Sequence, residues 1–175
     1  MKSIRQSILV SLLLTLTFKL SAQSASNQPC PCCKSEFRQF DFWVGEWETY
    51  NPGDTLVGTN NIVIMQDSCV IQENWNSARG PYSGTSYNFY NPQTGKWHQT
   101  WVDNQGAPLL LSGGLEDGEM VMRSGKMKNP QGQEYLNRIT WTPNPDGSVR
   151  QFWEISNDDG KTWNGVFDGE YRRRE

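Results

Sequence analysis

Two glutamates, Glu73 and Glu154, carry side chains suited to acid–base chemistry. Alternation along the predicted third strand puts Glu73 on the same face as Ile71 and Trp75. A carboxylate on an apolar face is costly to bury without a partner, and desolvation raises its pKa toward the range of a general acid or base. Arg138 is the predicted partner of Glu73. A buried carboxylate at either position could therefore serve a hydrolase or an isomerase.

The chain contains 8 tryptophans, and their positions indicate a second kind of chemistry, the stacking of a flat ligand. Trp97, Gln99 and Trp101 share one face of a predicted strand. An aromatic wall with a few polar groups is typical of a pocket for a small hydrophobic or aromatic-stacking molecule. The candidates for lining such a pocket are Trp43, Glu73, Trp75, Trp97, Gln99, Trp101, Arg138 and Trp153. For Trp43, a place in the core is an equal alternative.

His98 is the single histidine of the chain. Alternation turns it away from the face that holds Trp97 and Trp101. One histidine excludes a multi-histidine metal centre, and a serine–histidine–aspartate triad would have to use this one as its base. The histidine content therefore indicates no cofactor and no metal site.

The four cysteines, Cys30, Cys32, Cys33 and Cys69, suit disulfide bonds in an exported protein. A bond between the neighbours Cys32 and Cys33 would be strained. One cysteine of the terminal CPCC group is therefore predicted to bond Cys69, which would attach the N-terminal segment to a strand. Three clustered thiols could instead bind zinc or copper(I), although the second spaced pair of a zinc site is missing from the sequence.

Residues 1–22 have the pattern of an export signal. Lys2 and Arg5 precede an uncharged apolar run, and Ala22 ends a small-residue cleavage site. The run is shorter than the roughly 20 residues that a membrane span requires. Cleavage removes three basic residues and no acidic one, which leaves 13 basic against 19 acidic residues and a formal net charge of −6. The sequence predicts a secreted or periplasmic protein with no membrane span, and its acidity argues against a nucleic-acid partner.

The rest of the chain reads as strands. Runs of β-branched and aromatic residues are followed by turn signals about every ten residues, and no stretch predicts a helix. This pattern predicts an all-β fold, an antiparallel, up-and-down, closed β-barrel of about ten strands whose first strand is Phe40–Tyr50. The predicted organisation is a signal peptide (1–22), a Cys-containing N-terminal segment (23–36) and a β-barrel domain (37–175).

The stretch Ser156-Asn157-Asp158-Asp159-Gly160-Lys161-Thr162-Trp163 fits the S-x-D-x-G-x-T-W Asp-box. The motif recurs in sialidase-type propellers, but here it occurs once, and the chain is too short for a propeller of repeated blades. We therefore predict a structural hairpin turn in which the aspartate binds backbone amides and the tryptophan packs beneath.

Gly45-Glu46-Trp47 on the first strand, with Tyr171-Arg172 on the last, resembles the G-x-W and closing-arginine signature of lipocalin-like (calycin) barrels. The resemblance implies that Trp47 plugs one end of the barrel and that an arginine at the end of the last strand packs across it. The motif points to Arg172, but Arg173 and Arg174 stay open as alternatives, because alternation puts Arg172 and Arg173 on opposite faces. The stretches FDFWVGEW, YNPQTGKWHQTWVD, RITWTPNPDGSVRQFWE and DDGKTW are similar to a family of exported bacterial proteins of unknown function. Nitrobindins, which are related small barrels, bind haem through a histidine close to the C-terminus, and this chain has none there.

These observations favour a binding barrel over an enzyme. The expected ligand is a small hydrophobic or aromatic-stacking molecule held in the cavity. The alternative is a carboxylate-dependent hydrolase or isomerase that acts in the same cavity. The ligand's identity and the oligomeric state stay open.

Overall fold

The computed structural model describes residues 30–174. The predicted signal peptide and the start of the cysteine segment lie outside the described residues. Two short 3-10 helices, Ser35–Arg38 and Asp41–Trp43, precede the strands. The strands are β1 (Gly45–Tyr50), β2 (Leu56–Met65), β3 (Val70–Ser77), β4 (Ser83–Asn91), β5 (Lys96–Asp103), β6 (Pro108–Glu116), β7 (Glu119–Arg123), β8 (Met127–Lys128), β9 (Glu134–Pro143), β10 (Val149–Ser156) and β11 (Asn164–Arg173).

Ten of these strands close into an antiparallel barrel. Each strand pairs with its neighbours in the chain, except that β7 pairs with β9, and β1 pairs with β11. The remaining strand, β8, adds a short extension to β9. The prediction of an all-β, up-and-down closed barrel of about ten strands is confirmed.

The strands form where the sequence alternates. In β5, Trp97 and Gln99 are buried, whereas His98 and Thr100 face outward. His98 stacks on Phe89 of β4 on the outer face, with ring centroids 5.5 Å apart. The β6–β7 hairpin turns at Asp117 and Gly118, which have φ angles of 50° and 89°. Two consecutive positive φ values fit the twist of a tight hairpin, and this explains the Asp-Gly pair.

The first predicted strand begins too early. Phe40–Val44 is not extended, because the backbone of Asp41–Trp43 forms a 3-10 turn in which the Val44 amide donates to the Asp41 carbonyl at 3.0 Å. This turn points Phe40 and Trp43 into one end of the barrel. Their rings stack at 4.9 Å, and both side chains are fully buried.

A plug of aromatic side chains fills this end. Phe40 also meets Trp97 and Trp141 edge-on, at 5.7 and 5.2 Å, and the Trp47 indole N–H donates to the Trp43 carbonyl at 2.8 Å. All these tryptophans have at most 2% of their surface exposed. The two tryptophans of the FDFWVGEW stretch therefore hold the barrel shut.

An arginine covers the plug from outside, and of the three candidates it is Arg173 and not Arg172, to which the motif pointed. The Arg173 guanidinium lies 4.4 Å from the Trp47 ring centroid and donates to the Val44 carbonyl at 3.1 Å. Arg173 is opposite Trp47 in the β1–β11 register, whereas Arg172 stacks on Tyr50 and pairs with Asp54. Alternation places the two arginines on different faces, and only the register decides which one meets Trp47.

Gly45 leaves space for this guanidinium. A Cβ atom at position 45 would lie 2.2 Å from Nη1 of Arg173, and the φ angle of 146° is one that side chains with a Cβ rarely adopt. The glycine of the G-x-W pattern is thus explained by the close approach of Arg173 and by its own backbone conformation.

All four cysteines are paired in disulfides. Cys32 bonds Cys69 and attaches the N-terminal segment to the start of β3, as predicted, and Cys30 bonds Cys33 within the terminal group. No thiol is left for the alternative metal site. Among residues 30–174, no helix is long and apolar enough to cross a membrane.

We predict that Arg173→Ala destabilises the barrel by about 1 kcal/mol, because it removes one cation–π contact and one charged hydrogen bond. Urea unfolding followed by tryptophan fluorescence would measure the loss. Arg174→Ala is the matched control, since its side chain is exposed and makes no described contact with the plug. Equal stability of the two variants would contradict the role given to Arg173.

Candidate functional site

A cavity of about 510 Å³ occupies the half of the barrel opposite the plug. Its mouth is formed by the end of β3, the start of β4 and the β5–β6 connection, where Arg79, Tyr82, Asp103 and Ala107 lie. Its depth is formed by inward side chains of β3, β5 and β9 to β11. The barrel is therefore closed at one end and open at the other.

Five of the eight predicted lining residues line this cavity. They are Glu73, Trp75, Gln99, Trp101 and Trp153. The other three lie elsewhere: Trp43 and Trp97 belong to the plug, and Arg138 faces outward. Alternation correctly put Trp97 and Trp101 on one face, but they lie at different depths along the barrel, so one is in the plug and the other in the cavity.

The prediction that Arg138 pairs with Glu73 is wrong. Ile139 points inward from β9, so its neighbour Arg138 points outward, where it pairs with Glu154 of β10 at 2.8 Å. Glu154 is outward for the same reason, because Trp153 beside it lines the cavity. Glu154 therefore cannot reach the cavity, which leaves Glu73 as the carboxylate in the depth of the site.

The tryptophans divide into three groups by environment. Those of the cavity, Trp75, Trp101 and Trp153, are only partly buried, in contrast to the plug. The eighth, Trp163, lies outside the barrel, beneath the guanidinium of Arg138 at 4.2 Å. The tryptophans therefore do not fill the barrel, and three of them face open space within it.

Glycines allow the aromatic rings to lie against the barrel wall. A Cβ atom on Gly84 would come within 2.1 Å of the Trp101 ring, and one on Gly58 within 2.4 Å of the Trp75 ring. Phe167 lies in the same way over Gly169, at 2.6 Å. These distances are far below van der Waals contact, so any larger residue would push the rings toward the lumen. The glycines thus keep the cavity open.

Glu73 is the polar centre of the site. It is 4% exposed, and its two carboxyl oxygens accept hydrogen bonds from Asn60 Nδ2 at 2.8 Å and from Ser86 Oγ at 2.7 Å. Ser86 in turn accepts from Asn88 at 2.9 Å and from Gln99 at 3.4 Å. The network fixes the carboxyl group and is built from neutral side chains.

Burial raises the pKa of Glu73 to about 7, against the lowering effect of the hydrogen bonds from Ser86 and Asn60. Desolvation disfavours the carboxylate, and neutral donors only partly offset it. Near neutral pH this group therefore exists in both protonation states. It can donate a hydrogen bond into the cavity as an acid, or accept one and carry a negative charge as a carboxylate.

Tyr171 lies beside this carboxyl group. Its hydroxyl donates to Gln151 Oε1 and lies 3.5 Å from Asn60 Nδ2, and its ring is 6.4 Å from that of Trp75. Burial, with the nearby Glu73 charge as a second cause, raises the pKa of Tyr171 well above its ordinary value. Tyr171 therefore stays protonated and acts as a neutral hydrogen-bonding group.

Sequence reasoning missed several lining residues. Phe167 and Tyr171 are four residues apart on the last strand, so both side chains lie on the same face, and this spacing could have identified them. Gln151 is two residues from Trp153 on β10 and therefore shares its inward face. Arg79 and Tyr82 lie in and beside the β3–β4 connection, where no periodic pattern marks the inward side. The other missed lining residues are Val57, Ser77, Asp103, Ala107, Pro108, Leu109, Met127, Tyr135, Asn137 and Ile139.

The Asp-box forms the β10–β11 turn beside the mouth. Asp158 accepts hydrogen bonds from the amide and the hydroxyl of Thr162, at 2.8 and 2.6 Å, and these bonds lower the pKa of Asp158 to about 2. The Trp163 indole donates to the Gly160 carbonyl at 3.1 Å. Every group that defines the motif is thus used within the turn.

No protein-family model matches the chain, and neither does any curated protein. The fold itself, a closed antiparallel barrel of ten strands, is compatible with a lipocalin-like architecture.

We predict that the stability of the protein falls as pH rises from 5 to 8, and that Glu73→Gln removes part of this fall. Folded Glu73 keeps its proton up to a pKa of about 7, whereas the unfolded side chain loses it near the ordinary glutamate pKa of 4.5. The stabilising proton is present at low pH and lost between these values, which corresponds to roughly 3 kcal/mol at most.

Urea unfolding at four pH values across this range would measure the effect. Glu46→Gln, the same change at an exposed position of β1, is the control. Parallel pH profiles for the wild type and Glu73→Gln would show that Glu73 does not titrate in this range.

Proposed function

We propose that this barrel binds a small, flat, aromatic-stacking molecule in its cavity. The observation that carries the proposal is the set of aromatic rings held against the wall by Gly58, Gly84 and Gly169. A barrel that needed only a filled core would have no use for glycines that leave its lumen empty. The volume of about 510 Å³ suits one small molecule, because ligand pockets measure about 300 to 1,000 Å³.

The polar groups in the depth of the cavity support a ligand with a polar end. Glu73, Gln99 and Gln151 lie among apolar and aromatic side chains, which is the usual composition of a small-molecule site. The rings of Trp75, Trp101 and Trp153 can stack on the flat part of the ligand, and the polar groups orient it. The binding site consists of this wall and this polar end.

The proposal includes export. Two disulfides are consistent with an oxidising compartment. A signal peptide in residues 1–22 would deliver the chain to the periplasm or the medium, where the barrel would meet its ligand.

Native mass spectrometry of the gently purified protein tests this function. We expect a mass excess that disappears on denaturation.

Gly84→Ala should lose most of this excess, because its Cβ displaces the Trp101 ring into the lumen. The same substitution should lower the stability of the protein by about 1 to 3 kcal/mol. Gly114→Ala is the matched control, since a Cβ there meets no atom within 4 Å. A bare mass, with no tryptophan fluorescence change against sugars, fatty acids and aromatic compounds, would refute the binding barrel.

A second candidate function, acid–base catalysis, is favoured by one observation. The pKa of Glu73 is about 7, and a general acid or base works best when its pKa is close to the working pH. Incubating the released cavity molecule with fresh protein, and analysing it by chromatography and mass, separates the two functions. Conversion by the wild type and not by Glu73→Gln would favour a hydrolase or isomerase, and an unchanged molecule would favour binding.

A further inference from the structure

Glu73 has no cationic partner among the described residues. Its oxygens contact Asn60 and Ser86, both neutral, and none of the salt bridges involves it. Of the charged side chains that line the cavity, the others are Arg79 and Asp103, at the mouth. The stretch of β3 from Glu73 to Ser77 is about 13 Å long, and Arg79 lies beyond it. The depth of the cavity therefore holds an acidic group and no basic one.

Aromatic rings surround the approach to this acidic group. Trp75 follows Glu73 on the same face of β3, and Ser86, directly opposite Glu73, is paired in turn with Trp101 of β5. Tyr171 lies 6.4 Å from Trp75, and Phe167 lies 6.1 Å from it. The faces of such rings carry negative electrostatic potential and attract cations. The carboxyl group and the ring faces thus both favour a positively charged group on the ligand.

A positively charged ligand group satisfies both features best. An anionic group near Glu73 would face a carboxylate in a site of low dielectric, where repulsion is strong. A neutral group would leave a buried carboxylate without an opposite charge, or require it to keep its proton. A cationic nitrogen supplies the missing charge and a hydrogen-bond donor, and gains attraction from the rings.

We propose that the cavity recognises a small amine or protonated nitrogen heterocycle, with its cationic nitrogen at Glu73 and its flat or apolar part against Trp75 and Trp101. This inference rests on the proposed binding function and names the chemical class of its ligand.

Such binding depends on pH in a defined direction. A cation binds the carboxylate, so it must displace the Glu73 proton at low pH, and affinity rises with pH until it levels off above about pH 7, in line with the raised pKa of Glu73. The groups that face Glu73 from neighbouring strands are Asn60, Ser86, Asn88, Gln99, Gln151 and Tyr171. None of them changes charge in this range.

Three probes with the same ring and different charge test the inference: 2-phenylethylamine, 2-phenylethanol and phenylacetate. Calorimetric titration of the wild-type protein at pH 7.5 and constant ionic strength would compare them. We expect the amine to bind at least about tenfold more tightly than the alcohol or the acid. This comparison needs no variant, so it stands even if a substitution at Glu73 impairs folding.

Glu73→Gln should bind the amine about tenfold more weakly and lose its pH dependence, while its affinity for the alcohol stays within about twofold. Glu46→Gln, which removes the same charge from the outer face, should keep the preference for the amine. Equal binding of amine and alcohol by the wild type, or a preference that survives in Glu73→Gln, would overturn the inference.

The outcomes separate this inference from the binding function beneath it. A neutral or anionic molecule found in the cavity by native mass spectrometry, with no binding of the amine, would overturn the inference and leave the binding barrel intact. A bare mass in native mass spectrometry, with no tryptophan fluorescence change against the ligand panel and no binding of the three probes, would overturn both.

Discussion

Pairing between the first and last strands is the interaction on which the rest of the structure depends. The β1–β11 register closes the sheet, removes its exposed edges and sets Trp47 opposite Arg173. Because closure leaves the barrel with two ends, one can be sealed while the other stays open. The 3-10 turn, the plug and the covering arginine seal one end, and the cavity occupies the other.

The balance between filling and opening the barrel is set by a few small residues. A tryptophan on the inner face can point across the lumen, as in the plug, or lie along the wall, as in the cavity. The choice depends on what lies beneath the ring on the next strand. Gly58 and Gly84 provide room there, and their lack of a side chain converts two large aromatic residues from core filling into wall. The cavity is therefore a property of residue pairs on adjacent strands.

Burial of Glu73 lowers the stability of the fold, so stability does not explain why a carboxyl group occupies this position. A buried carboxyl group with only neutral partners contributes less to stability at neutral pH than an apolar side chain of similar size would. Asn60, Ser86 and Asn88 are also buried to support it. Strongly perturbed carboxyl groups cluster at functional sites, and this one borders the cavity.

The sequence by itself determined the class of fold and the faces of its strands. Period-two alternation and regular turns predicted a closed barrel, and the same alternation placed Glu73, Trp75, Gln99 and Trp101 on inward faces. The local sequence was enough for these predictions, because each one depended only on residues that are neighbours in the chain. The cysteine count likewise predicted a bond to Cys69 without choosing its partner.

Only the tertiary structure decided depth and partnership. Alternation tells which face a side chain is on, but not how far along the barrel axis it lies. It therefore could not separate Trp97 in the plug from Trp101 in the cavity. It also could not choose between Arg172 and Arg173, or pair Arg138 with Glu154, because these contacts depend on the register between strands. Register is fixed by the closure of the whole sheet, which is why these features were beyond the reach of local sequence.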